Sequence, residues 1–173
     1  MPELNAATLA RDVMIRDMIV VSPDTPLIDI HRLFVEEEIH GAPVVNEQDQ
    51  VVGVVSTLDL LRAIQEQAED VAGSSTYYQD GLPSLGVDWT ELAGDSEERV
   101  KNLTASDVMT RELVRVSPEA SLAEVARTML KQHVHRVLVV AQGNLVGVIT
   151  TYDLLRVLAG QVPETRERTG FAR

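Results

Sequence analysis

Short apolar runs and amphipathic stretches alternate along this chain in an order that occurs twice. In the first half, residues 18–21 form a brief apolar run, and Thr25-Pro26 then marks a helix start with proline at the first helical position. Residues 43–45 and 51–55 follow as continuous apolar segments across a polar turn and read as buried strands. In the second half, Ser121 and Glu124 form a capping-box pattern. Leu122, Val125, Ala126, Met129 and Leu130 then fall at i, i+3, i+4, i+7 and i+8, one apolar helix face. Residues 137–140 and 145–149 make the matching strand pair. Each half therefore predicts a strand, a helix, two strands and a second helix.

The repetition extends to residue identity. Asp12-Val13-Met14 returns as Asp107-Val108-Met109, Ser22-Pro23 as Ser117-Pro118 and His40 as His135, all offset by 95 residues. After one residue is lost in a turn the offset is 94, and the string from Gly53 through Ser56 and Asp59 to Arg62 reappears from Gly147 through Thr150 and Asp153 to Arg156. Such duplication marks a repeat architecture. The repeats span residues 8–66 and 103–160, and neither is large enough to hold a secure core alone. Packing of the two sheets on each other is the expected remedy, giving pseudo-two-fold symmetry and two equivalent clefts between the halves.

Residues 67–102 connect the repeats. From 63 to 98 there is no Lys or Arg, while nine carboxylates occur, so this is an acidic linker or insertion. Its middle reads as loop, with Tyr77, Tyr78 and Trp89 as anchors onto the rest of the molecule. Residues 161–173 read as a disordered tail.

Composition narrows the class. With 45% hydrophobic but only 3% aromatic residues, the core must be Val, Leu, Ile and Ala, which suits an α/β fold of β-branched strands under aliphatic helices. The absence of cysteine excludes a disulfide framework, thiolate metal ligands and a cysteine nucleophile. The first residues lack a signal-peptide pattern, and no apolar stretch approaches a membrane span; the expectation is a cytoplasmic protein with no membrane partner. A net charge of −12 argues against nucleic acid as a partner.

Asp-Val-Met ahead of each repeat, Ser-Pro before each first helix and the Gly-led Ser/Thr-x-x-Asp string opening each second helix resemble tandem CBS domains, the family named after cystathionine β-synthase. The resemblance covers most of the chain and is closest to the small stand-alone pairs. It implies a fold of two β-α-β-β-α repeats packed sheet to sheet, no catalysis, and a regulatory role. Such a module binds AMP, ADP, ATP or another adenosyl ligand in the cleft between repeats and transmits occupancy to a regulated protein, commonly as a homodimer. No cofactor is obligatory, and magnesium would accompany ATP. Carried over by position, Asp59 and Asp153 bind ribose, while Ser56, Thr57, Thr150 and Thr151 receive phosphate. His135-Arg136 matches the family's phosphate-contacting pair.

Elementary chemistry supports those assignments. A carboxylate accepts from both vicinal ribose hydroxyls, and N–H groups at a helix start attract phosphate. Ile19, Ala42 and Val55, or Val114, Val137 and Ile149, could supply an apolar slot for adenine. As isolated patterns, Ser56-x-x-Asp59 and Thr150-x-x-Asp153 read as helix caps; their duplication favours the ribose reading.

The two sites are not expected to be equal. No acidic residue occurs between Glu124 and Asp153, where Arg127, Lys131, His133, His135 and Arg136 concentrate positive charge. The first repeat has Glu36 opposite Lys131 and Gly41 opposite Arg136. The four histidines lack metal-site spacing, so no metal site is expected, and Ser56, His135 and Asp153 lack the elbow motif a hydrolase triad requires. The rival expectation is an interaction scaffold whose nucleotide sites are vestigial.

Overall fold

The computed structural model describes residues 8–64, 76–78 and 102–161. Most of the acidic linker, Trp89 and the tail beyond Gln161 lie outside the described residues. The chain forms two compact units, one spanning Val20–Leu113 and the other joining the stretch up to Ile19 to the chain from Val114 onward.

The Val20–Leu113 unit contains helix α2 (Leu27–Glu36), strands β1 (Gly41–Val45) and β2 (Val51–Ser56), helix α3 (Thr57–Ile64), a 3-10 turn (Thr76–Tyr78) and the short helix α4 (Ala105–Val108). β1 and β2 pair antiparallel, with Gly41 opposite Ser56 and Ala42 opposite Val55. Val21, Leu27, Ile30, Phe34, Val44, Val55 and Leu60 form its core, aliphatic apart from Phe34 as the composition requires. The expected leading strand at 18–21 contracts to a single parallel bridge, Val21 to Val44, because only Val21 exchanges backbone hydrogen bonds with β1. Pro26 is the N-cap rather than the first helical residue, and Thr25 Oγ1 accepts from Ser22 N instead of capping α2.

The other unit contains the short helix α1 (Ala10–Val13), strand β3 (Arg115–Val116), helix α5 (Leu122–Gln132), strands β4 (Arg136–Ala141) and β5 (Asn144–Thr150), and helix α6 (Thr151–Leu158). β3 runs parallel to β4, and β4 antiparallel to β5. The Ser121 capping box forms: Glu124 Oε2 accepts from Ser121 N at 2.8 Å, and Ser121 Oγ accepts from Glu124 N at 3.3 Å. Leu122, Val125 and Met129 of the predicted stripe are buried, but Leu130 is 75% exposed.

The leading segments are exchanged between the sequence repeats. Ile15, preceding the first repeat's helix, makes two backbone hydrogen bonds with Val148 of β5, and Thr110 makes two with Val54 of β2. Met14 lies on Gly147, where an added Cβ would sit 2.7 Å from its sulfur; Met109 lies on Gly53, at 2.5 Å. Asp-Val-Met and the glycine of the helix-opening string are thus two halves of one contact. Sequence similarity showed both motifs but not that they meet.

Candidate functional site

β5 passes into α6 without an intervening residue, and the junction is closed by side chains. Asp153 Oδ2 accepts from Thr150 N at 2.8 Å and from Thr150 Oγ1 at 2.7 Å, while Thr150 Oγ1 accepts from Asp153 N at 3.3 Å. Asp153 is almost wholly buried. Its second oxygen, Oδ1, accepts no hydrogen bond among the described residues, which leaves carboxylate acceptor capacity beside the helix start. Thr151 donates its N–H and hydroxyl to His135 O, at 2.8 and 3.4 Å, tying the start of β4 to the start of α6.

That tie places the basic residues. Arg136 opens β4 directly opposite Thr150, so in an antiparallel pair the two side chains leave on the same face. Lys131 is exposed in the last turn of α5, where a cation complements the helix dipole. His133 ends α5 in the left-handed conformation at φ 54°, and His135 follows it, exposed.

The other unit repeats these capping hydrogen bonds. Asp59 Oδ2 accepts from Ser56 N at 2.8 Å and Ser56 Oγ at 2.5 Å, Ser56 Oγ accepts from Asp59 N at 3.4 Å, and Thr57 donates its N–H and hydroxyl to His40 O. The basic set does not repeat. Glu36, Glu37 and Glu38 are exposed at the end of α2, and Gly41 stands opposite Ser56.

Several sequence expectations meet a different environment. The backbone N–H groups of Ser56, Thr57, Thr150 and Thr151, and their hydroxyls, already have protein acceptors. Helix capping therefore uses the donors proposed for phosphate. Ala42 and Val55 are fully enclosed with Leu27, Ile30 and Leu60, and the register partners Val137 and Ile149 are equally enclosed. Side chains without accessible surface present no face to an adenine ring in this conformation. Ile19 and Val114 remain half-buried.

Two features escaped sequence reading. A cavity of 520 Å³ lies between α5 and α6, lined by Met129, Leu130, Leu154, Leu155 and Leu158, with His133, His135 and Thr151 its polar members. Tyr152, exposed between Thr151 and Asp153, has the Arg156 guanidinium 4.7 Å from its ring centre; their i, i+4 spacing was the available signal. Among the described residues, no helix is long and apolar enough to cross a membrane.

Comparison with known proteins matches the CBS domain model twice, at residues 10–66 and 105–160. The uncharacterized protein MJ1426 of Methanocaldococcus jannaschii is 34% identical, covering 87% of this chain and 90% of that protein. CBSX2 of Arabidopsis thaliana, a chloroplastic CBS domain-containing protein, is 28% identical over 87% of this chain and 62% of its own length. A crystal structure of CBSX2 in complex with AMP is similar at a TM-score of 0.64 and 24% identity, covering 89% of this chain and 98% of that one. The CBS domain pair of MJ0100, in complex with 5′-methylthioadenosine and S-adenosyl-L-methionine, is similar at a TM-score of 0.58 and 19% identity, covering 88% and 97%.

Proposed function

Because this chain belongs to the CBS domain family and carries two such domains, we propose that it is a non-catalytic regulatory module that binds an adenine nucleotide and transmits its occupancy to a regulated protein. The observation that carries the reading is the Asp153 junction. One carboxylate oxygen holds the helix cap and the other remains to accept from ribose hydroxyls. Arg136 opposite Thr150, with His135 and Lys131 nearby in sequence, supplies positive charge for phosphate that the committed N–H groups cannot. AMP on CBSX2 and adenosyl ligands on MJ0100 support adenosine as the shared element. ATP would bring magnesium with it, since its added phosphates exceed the positive charge that one arginine and one lysine provide.

Calorimetric titration of nucleotide-free protein with AMP, ADP, ATP and S-adenosylmethionine tests the proposal. Saturable heat with at least one of them is expected. Absence of heat, together with absence of any thermal shift, would leave the scaffold reading, which the exposed apolar groove between α5 and α6 favours.

A further inference from the structure

Gly41 and Arg136 occupy the same place in their ladders, the first opposite Ser56 and the second opposite Thr150. Where Arg136 sends out a long cationic side chain, Gly41 sends out nothing, and the space is not empty. A Cβ built on Gly41 would lie 2.9 Å from Cδ2 of Tyr77, as well as 2.8 Å from Val55 O and 3.3 Å from the Ser56 Cα. The Tyr77 ring therefore lies against the backbone at the Ser56 end of β2. Its turn packs on β1, β2 and α3, the three elements that frame the Asp59 cap. Tyr77 and Tyr78 are only 4% and 1% exposed, and their rings meet edge to face at 5.1 Å and 85°. Ser56 is fully enclosed, whereas its counterpart Thr150 is only half-buried.

Resting on the proposal that such caps hold nucleotide, we infer that the Tyr77–Tyr78 turn is a built-in occupant of the Asp59 cap. It fills the Gly41 side of that cap, at Ser56, with the chain's own aromatic side chains and leaves the Asp153 cap as the single nucleotide site, although the two carboxylates themselves are buried alike, Asp59 5% and Asp153 3% exposed. Glycine at 41 is the permissive residue, because any side chain there would compete with Tyr77 for the same volume. The loss of cation at Gly41 and the arrival of an aromatic plug are then one change: a phosphate-binding position has become a packing position.

The test is stoichiometry, measured by calorimetric titration with AMP on nucleotide-free wild type and on Tyr77→Ala/Tyr78→Ala, with the fold of each checked by circular dichroism. The inference expects one nucleotide per chain in the wild type and a second, weaker site in the double variant. Two nucleotides per wild-type chain would overturn it without any variant, so it stays testable even if the double variant does not fold. Tyr77→Leu, which removes the ring edge but keeps apolar contact, serves as the milder variant and should also expose the second site. Tighter dependence on Tyr77, seen as binding lost on its removal, would make it a ligand-stacking residue and overturn the plug. If the wild type binds nothing but the double variant binds one AMP, the plug stands and the Asp153 reading falls. Absence of binding to either protein overturns both.

Discussion

Asp153 and Asp59 share the hydrogen bonds that cap their helices, while the residues around the two caps differ. The exposed carboxylates of Asp107 and Glu124 make related helix caps. Backbone and side-chain hydrogen bonds from Thr104 lower the Asp107 pKa, and those from Ser121 lower that of Glu124. A carboxyl lowered in the folded state contributes stability that is complete above its unfolded pKa of about 4 and is lost as pH falls through the lower folded value. Replacing Glu124 by Gln should therefore reduce stability near neutral pH. The gap from wild type should narrow as the solution is acidified below the ordinary carboxylate range, measured by urea denaturation at several pH values. A gap independent of pH would assign the effect to geometry instead of charge.

At the scale of elements, the two methionine-on-glycine contacts decide which segments pack together. An added methyl at Gly147 meets the Met14 sulfur at 2.7 Å and the Ile15 carbonyl oxygen at 3.0 Å, and the latter is backbone that cannot turn aside. Gly147→Ala should cost about 1–3 kcal/mol, the range for overpacking a closed contact. Met14→Ala in that background should restore part of the loss in a thermal melt, and strictly additive losses would show that the two residues do not share the space. Much of the element order was legible: the four hairpin strands and the helices after them follow from apolar runs and caps. The short helices α1 and α4 and the exchange of leading segments were not, because identity between repeats reveals equivalent positions without revealing partners. At the site, the sequence showed the Asp strings and the basic set around Arg136. It could not show that capping already engages the threonine and serine donors, nor that core packing encloses Ala42, Val55, Val137 and Ile149.

For the whole molecule, the apolar groove between α5 and α6 bears on assembly. Leu130 is 75% exposed and Leu155 60%, a concentration of apolar surface in a chain of net charge −12 that must otherwise stay apart from its copies. Pairing of two chains through this surface would suit the homodimer that the family resemblance implies. Leu155→Glu should shift the mass measured by light scattering from dimer toward monomer at micromolar concentration, and a wild type that is monomeric throughout would contradict pairing. Nucleotide binding, on which the regulatory reading depends, turns on a smaller point. AMP affinity of nucleotide-free protein compared with folded Asp153→Ala, by calorimetry, tests it most directly. Hydrogen bonds from ribose to a charged acceptor contribute about 1.5–3 kcal/mol, so the variant should bind roughly 10- to 150-fold more weakly. Unchanged affinity in the folded variant would contradict nucleotide binding at the Asp153 junction.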